Sequence, residues 1–183
     1  CIVEYGSELY INYSSPFIHY SEFRYNSENG IRVGGTGTYL WVNNCDIHHN
    51  NQGVGGWGAG PTNTLFSYNT IRDNSPEGGG YAGSSTFSYN TIKDNEYSGS
   101  SDKGGGIKVD NSVLDHNIIT GNTNTNNDYA SGMFLNSTSS GGVTNNIIFD
   151  NTGTYSVRFN DHSGNGSFTD NIIADGRMSI NAI

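Results

Sequence analysis

Positively charged residues are scarce in this 183-residue chain, which has eight lysines and arginines against 17 aspartates and glutamates. The formal net charge of −9 excludes the basic stripe on which nucleic-acid binding depends, so no nucleic-acid partner is expected. No run of 18 apolar residues occurs, so no membrane span is predicted. Hydrophobic residues make up only 33%, yet 26 glycines and 12 tyrosines are unlike a disordered chain. A long, thin core with many tight turns fits this balance.

An internal repeat organises the rest of the chain. Segments 66–74 and 87–95 are nearly identical, lie 21 residues apart, and are each followed by a glycine-rich bend. A central apolar residue recurs every 20–29 residues, and aligning the repeats on it gives Val3, Phe23, Ile47, Ile71, Ile92, Ile119, Ile148 and Ile173. Such a period is typical of stacked structural repeats.

A second short segment follows most of these central positions, and it alternates apolar and polar residues as a half-buried strand does. The predicted second strands are Ile31–Val33, Trp57–Ala59, Tyr81–Gly83, Ile107–Val109, Met133–Leu135, Val157–Phe159 and Met178–Ile180. Strands that recur once per coil must lie above their equivalents, in parallel. The sequence therefore predicts an all-β fold, a single-stranded right-handed parallel β-helix of about seven coils. We expect residues 1–183 to form one domain of this kind, as a segment of a larger chain with uncapped ends.

Three residues after most central positions stands an asparagine. The predicted interior ladder comprises Asn50, Asn74, Asn95, Asn122 and Asn151. Asparagine tolerates the left-handed backbone of a sharp bend, and its amide can bond the equivalent amide of the next coil.

Several motifs resemble known repeats. The segment Ser14–Ile18, the recurring Asn-x-Ile-x-x-Asn and the following Gly-Gly-Ile resemble the right-handed β-helix repeats of bacterial and archaeal surface and secreted proteins. That superfamily includes pectate-lyase-like enzymes. The resemblance implies a β-helix and an extracellular or cell-surface location, but the sequence has neither the Gly-His-Gly and Arg-x-Lys signatures of polygalacturonases nor the Asp-Pro-His motif of alginate epimerases. It therefore assigns no catalytic residue.

The only two cysteines, Cys1 and Cys45, share a repeat position and are two coils apart. Strand spacing places their Cα atoms about 9.6 Å apart, which is too far for a disulfide. We predict two small core residues and no bond between them.

The residues beside each central position should point outward, and they divide the surface in two. Those before it are Ile2, Glu22, Asp46, Thr70, Thr91, Ile118, Ile147 and Ile172. Those after it are Glu4, Arg24, His48, Arg72, Lys93, Thr120, Phe149 and Ala174. The N-terminal half is charged, whereas the C-terminal half carries an apolar stripe that consists of Ile118, Ile147, Ile172 and Phe149.

The charged half is the candidate site for carbohydrate chemistry. A polysaccharide lyase needs a base beside carboxylates that hold a metal or neutralise a uronate, and a glycoside hydrolase needs two opposed carboxylates. The candidate catalytic residues are Asp46, His48, Asp73 and Asp94, with Arg24, Arg72 and Lys93 as candidate substrate-binding residues. The alternative is that stacked opposite charges only decorate a solvated sheet.

The predicted outward column of the second strands consists of Arg32, Gly58, Ala82, Lys108, Phe134, Arg158 and Ser179. Small residues between cations, beside Trp57 and Tyr81, suggest a shallow groove for an acidic sugar. Arg32, Trp57, Tyr81 and Lys108 are therefore candidate substrate-binding residues, although Trp57 and Tyr81 could equally belong to the core.

Metal sites are weakly indicated. Asp161 and Asn165 resemble the start of a calcium loop, but Ile172 occupies the place of the final glutamate, so calcium is possible and no cofactor is required. His48 and His49 are poor candidates for metal ligands, because adjacent strand residues face opposite sides.

Two functions stay open. The first is an extracellular or cell-surface module whose rigid surface binds a glycan or packs against flanking coils, neighbouring domains or copies of itself. Three Asn-x-Ser/Thr sequons, beginning at Asn12, Asn136 and Asn165, agree with an exported chain. The alternative is a polysaccharide lyase or glycoside hydrolase that acts on an acidic polysaccharide.

Overall fold

The chain forms an all-β solenoid. The computed structural model describes residues 1–34, 39–56, 64–100, 104–126, 129–137, 142–160, 167–174 and 177–180. These residues contain no helix, and every pairing between their strands is parallel. Each coil contributes one strand to each of three sheets, so the predicted parallel β-helix is confirmed.

Sheet 1 contains the central apolar column and has eight strands among the described residues. They are Ile2–Glu4, Glu22–Arg24, Asp46–His48, Thr70–Arg72, Thr91–Lys93, Ile118–Thr120, Ile147–Phe149 and Ile172–Ile173. The register pairs Ile47 with Ile71 and Ile71 with Ile92, as the repeat predicted. All eight central residues occupy one column.

Sheet 2 consists of the second strands. They are Leu9–Asn12, Asn29–Gly34, Gln52–Gly56, Gly80–Gly83, Ile107–Asp110, Ala130–Ser137, Tyr155–Phe159 and Met178–Ile180. The predicted strand at 57–59 lies outside the described residues, and the strand of that coil is the earlier Gln52–Gly56. The outward alignment at Ala82 was also wrong, because Ala82 pairs with Val109 and Tyr81 pairs with Lys108. Glycine-rich stretches lack the apolar markers that would have fixed this register.

Sheet 3 was not predicted. Its strands are Phe17–His19, Trp41–Asn43, Thr64–Ser67, Ser85–Ser88, Val113–Asp115, Val143–Thr144 and Phe168–Thr169. A signal for it does exist, since an apolar residue stands five positions before the central one in seven successive coils. Phe66 before Ile71 and Phe87 before Ile92 are the clearest examples, and both phenylalanines are buried and stacked 4.6 Å apart. A fourth, minor sheet pairs Glu96–Tyr97 with Thr123–Asn124.

The core is a thin column of side chains between the three sheets, as the low hydrophobic content indicated. Aliphatic and phenylalanine side chains from equivalent positions fill it, among them Ile31, Val42 and Ile71. Cys45 is buried in this column, and burial raises the pKa of its thiol. Both cysteines are free, as predicted, and backbone hydrogen bonds place Ser21 between them. The prediction that Cys1 is a core residue was wrong, because it lies exposed in the first coil.

Asparagine ladders hold two of the three corners. The predicted ladder is confirmed: Asn50 donates its backbone and side-chain N–H groups to the Asn74 side-chain oxygen at 3.0 and 3.1 Å, and Asn74 does the same to Asn95. A second ladder was not predicted. It runs through Asn69, Asn90, Asn117, Asn146 and Asn171.

The left-handed backbone expected at the asparagines belongs to the residue before each of them. At the corner between sheets 3 and 1 these residues have φ between 48° and 58°, and they are Tyr20, Asn44, Tyr68, Tyr89, His116, Asn145 and Asp170. At the corner between sheets 1 and 2 the described ones are Tyr5, Tyr25, His49, Asp73, Asp94, Gly121 and Asp150. In most coils the bend therefore directs one side chain outward and the next residue, an asparagine, inward.

Candidate functional site

The charged half of sheet 1 is a ladder of ion pairs. Arg24 lies between two carboxylates, with N–O distances of 2.6 Å to Glu4 and 2.8 Å to Glu22. Arg72 forms two hydrogen bonds with Asp46, at 3.1 and 2.8 Å, and a third with Asp73 at 2.7 Å. The guanidinium groups therefore neutralise the carboxylates of their own and adjacent coils. This arrangement agrees with the alternative in which stacked opposite charges only cover a solvated sheet.

His48 is the most enclosed of the candidate catalytic residues, with 5% of its surface exposed. Its Nε2 lies 2.9 Å from Glu22, and its Nδ1 lies 2.8 Å from Nδ1 of His49. The expectation that the two histidines face opposite sides was wrong, because the strand ends at His48 and His49 has a φ of 54°. The hydrogen bond from His48, followed by the charge of Arg24, lowers the pKa of Glu22 against the opposing effect of burial.

The structure brings three of the four candidate catalytic residues into one network. Asp46 lies 3.9 Å from His48 and shares Arg72 with Asp73. Asp94 lies one coil further and is paired with Lys93 at 3.7 Å. Every one of these carboxylates has a cationic partner, so a substrate would have to displace a partner to reach it.

The second predicted site, the groove on sheet 2, consists of two separate pairs of a cation and a tyrosine. Arg32 stacks on Tyr10 at 5.0 Å and pairs with Glu8 at 3.1 Å. Lys108 lies 5.5 Å from the Tyr81 ring and 3.8 Å from Asp110. Burial, followed by the charge of Asp110 and a hydrogen bond to it, raises the pKa of the Tyr81 hydroxyl. These cations are also paired, and Trp57 lies outside the described residues.

A third surface, not predicted from the sequence, is rich in exposed aromatic side chains. We call it the aromatic ridge, and its residues are Phe17, Tyr20, Trp41, Tyr68, Tyr89 and His116. Tyr68 stacks on Tyr89 at 5.1 Å with 5° between the ring planes, and Tyr89 stacks on His116 at 4.9 Å. Phe17 packs edge-on against Trp41 at 5.8 Å. The rings belong to sheet 3 and to the corner that follows it.

Local backbone geometry explains the exposure of the ridge. The tyrosines occupy the left-handed corner position three residues before the central apolar residue, a spacing that could have identified them. Tyr20, Tyr68 and Tyr89 keep 73%, 57% and 47% of their surface exposed, although tyrosine buries its ring where the fold allows it. Exposed rings in consecutive coils of a rigid solenoid form a preorganised surface.

A histidine–aspartate pair ends the ridge. Nδ1 of His116 lies 2.8 Å from Asp115, which also accepts hydrogen bonds from Thr144 and Asn145. Hydrogen bonds from Asn145 and then His116 lower the pKa of Asp115. This network fixes the His116 ring against Tyr89.

The candidate calcium ligands Asp161 and Asn165 lie outside the described residues. Among the residues that the structure does describe, no group of three or more histidine, cysteine, aspartate or glutamate side chains is arranged to hold a metal ion. None of the described segments contains a helix that could span a membrane.

The stacked parallel sheets define a β-solenoid, and comparison with known families agrees. The model of the right-handed β-helix region matches residues 3–122, so the chain belongs to that family. The strand pairing of sheet 1 continues past the matched segment to Ile173. No curated protein and no solved structure matches the chain.

Proposed function

We propose that this chain is an extracellular or cell-surface module that binds a glycan along the aromatic ridge. The observation that supports the proposal most strongly is the row of exposed, stacked rings on a backbone held by hydrogen-bonded ladders. A sugar presents both apolar C–H faces and hydroxyls, and tyrosine and tryptophan offer an apolar ring with a polar tip. From Tyr20 to His116 the ridge crosses four coils, about 19 Å at the spacing of β-strands.

The charge around the ridge favours uncharged sugar units. The strands of sheet 3 contain neither lysine nor arginine. The cations that the sequence analysis assigned to acidic-sugar binding, Arg24, Arg72, Lys93, Arg32 and Lys108, are all paired with carboxylates.

Titration with a panel of neutral oligosaccharides tests this proposal. Trp57→Phe leaves Trp41 as the only tryptophan, so its fluorescence reports on ligand at the ridge. We expect binding to weaken at least about tenfold in the double variant Tyr68→Ala/Tyr89→Ala, since aromatic stacking contributes about 0.5–1.5 kcal/mol per pair beyond the buried area. Tyr5→Ala is the matched control, because Tyr5 is also an exposed, stacked corner tyrosine but follows sheet 1. Equal binding by both variants would contradict the proposal.

Self-packing is a second candidate, supported by the apolar stripe in the C-terminal half of sheet 1. Ile118, Ile147 and Ile172 expose 39%, 39% and 58% of their surface in adjacent coils. Contiguous exposed aliphatic side chains are typical of a surface that is covered by a partner. A second copy of the chain, or a neighbouring domain, would cover it.

The enzyme alternative requires the paired network of sheet 1 to open. A lyase or hydrolase would use Asp46, His48, Asp73 and Asp94 after substrate replaced their partners. Incubation with uronate polymers, followed by the ultraviolet absorbance of unsaturated products, tests for a lyase. If activity is found but Asp73→Ala and His48→Ala leave the rate unchanged, this site is not the catalytic one.

A further inference from the structure

Arg158 differs from Arg24, Arg32 and Arg72 because it has no carboxylate partner among the described residues. It occupies the outward column of sheet 2, one coil after Phe134. Its guanidinium lies 5.9 Å from the Tyr129 ring and 5.8 Å from the Tyr155 ring. Its side chain forms no hydrogen bond or ion pair with any residue that the structure describes, whereas Arg24, Arg32 and Arg72 each have at least one carboxylate within 3.1 Å.

The surroundings leave one end of the Arg158 guanidinium free for a ligand. The Nε atom is buried without a hydrogen-bond partner. The two terminal nitrogens have no partner within the described part of the chain, and they are not buried as Nε is. The guanidinium carbon lies over the rings of Tyr129 and Tyr155, within the distance of cation–π contact. The two terminal N–H groups are therefore available side by side.

Two further features favour an anion at this position. Phe134, which pairs with Arg158 from the preceding coil, is fully buried and packs edge-on against Tyr129 at 5.3 Å. The cation therefore has apolar side chains on one side. Partial exclusion of water strengthens a charge-assisted hydrogen bond. In the next coil, Arg177 accepts the Ser156 amide with its backbone carbonyl at 2.9 Å, and this second cation forms no ion pair with the residues that the structure describes.

We infer that Arg158 binds a carboxylate through its two terminal nitrogens. The planar fork of a guanidinium matches the two oxygens of a carboxylate. The assignment of the carboxylate to a uronic acid unit of a glycan rests on the proposed function, whereas the anion site itself rests on the geometry of Arg158. The site lies on sheet 2, apart from the aromatic ridge, so the two can be tested separately.

Arg32 is a matched control inside the same sheet. It also has a buried Nε without a partner and stacks on a tyrosine, Tyr10, but Glu8 occupies its terminal nitrogen at 3.1 Å. The inference therefore predicts that Arg158 responds to an added carboxylate and Arg32 does not. Removal of the competing charge by Glu8→Gln should make Arg32 respond as well.

The experiment follows the Nε–H signals of the arginines by NMR during titration with a galacturonate trimer. We expect the Arg158 signal to shift and the Arg32 signal to stay, until Glu8→Gln makes both shift. Arg158→Gln should weaken binding of the trimer at least about tenfold, because a charge-assisted hydrogen bond contributes about 1.5–3 kcal/mol. Arg158→Lys should restore only part of this affinity, since lysine keeps the charge without the fork.

Three results would overturn the inference. The Arg158 signal could stay unmoved by the trimer, the trimer could bind Arg158→Gln as well as the parent chain, or a sulfated neutral trisaccharide could bind more tightly than the uronate. The Tyr68→Ala/Tyr89→Ala variant separates the two proposals. If this variant loses neutral-sugar binding but its Arg158 signal still shifts, both proposals are supported. If the Arg158 signal shifts but even the parent chain binds no neutral sugar, only the proposal of glycan binding at the aromatic ridge is refuted.

Discussion

Individual asparagines hold this fold because each satisfies several backbone and side-chain groups that water cannot reach. The Asn74 side chain is fully buried and donates to the Ile47 carbonyl at 3.0 Å and to the Asn95 oxygen at 2.9 Å. Its own oxygen accepts two N–H groups of Asn50. An asparagine suits this position because its uncharged amide supplies two N–H donors and one carbonyl oxygen that accepts two hydrogen bonds.

Asn74→Ala should therefore be strongly destabilising. It leaves the two N–H groups that Asn50 donates to Asn74 without an acceptor and removes the side-chain donor to Ile47 and Asn95, although the backbone N–H of residue 74 still reaches Asn95. Each buried group left without a partner costs about 1–3 kcal/mol. We expect the free energy of unfolding to fall by about 3–5 kcal/mol, measured by urea denaturation. Asn12→Ala is the control, since Asn12 is an exposed strand-end residue, and it should change stability by less than about 0.5 kcal/mol. Similar values for the two variants would contradict the role of the ladder.

At the scale of the strand, glycine is required where sheet 2 passes the asparagine ladder. The column Gly30, Gly53, Gly79, Gly106 and Gly132 lies against the next coil's backbone and the ladder amides. A Cβ on Gly106 would lie 2.5 Å from the Gly132 carbonyl oxygen and 3.0 Å from Asn122 Nδ2. The glycine-rich bends of the repeat are thus packing positions.

Gly106→Ala should force this strand away from the next coil. We expect a loss of about 1–3 kcal/mol, as is usual when a well-packed interior gains a methyl group. Gly6→Ala provides the comparison, because its added Cβ would be 3.4 Å from its nearest neighbour. Denaturation midpoints of the two variants measure the difference, and an unchanged Gly106→Ala midpoint would show that the coils can separate freely.

The ion-pair ladder of sheet 1 should make the molecule sensitive to acid. The hydrogen bond from His48, followed by the charge of Arg24, lowers the pKa of Glu22 below its usual value of 4.5. Because the pKa is lower in the folded state, this stabilisation is fully present above pH 4.5 and is lost as the pH falls through the folded-state value.

Glu22→Gln should accordingly lower the melting temperature near neutral pH and reduce its dependence on pH below 4.5. The exposed Glu28, which forms no ion pair with the described residues, supplies the control variant Glu28→Gln. Melting curves across the acid range compare the three chains. A parallel pH dependence of the parent chain and Glu22→Gln would contradict the assignment.

Across the whole molecule, the sequence predicted those features that recur at a fixed distance from the central apolar residue of each repeat. The isoleucines of segments 66–74 and 87–95 set the register of sheet 1, and one ladder followed from it. Sheet 3 and the aromatic ridge share the same regularity, but their positions vary from Phe to Val or from Tyr to Asn, so no single residue type marks them. The pairing state of each cation depends on side-chain geometry, so Arg158 could not be distinguished from Arg72 before the structure was known.

The apolar stripe gives a test at the level of the assembly. In its column, Thr70 and Thr91 occupy the positions that Ile118 and Ile147 hold two coils later, so Ile118→Thr/Ile147→Thr copies a side chain that the fold already accepts there. We expect the parent chain to gain mass with concentration in light scattering and the double variant to remain monomeric, because the exposed isoleucines supply the apolar area that association buries. Unchanged melting of the variant would show that only association has been altered. A parent chain that stays monomeric at every concentration would leave the stripe to a different partner and remove self-packing as a function.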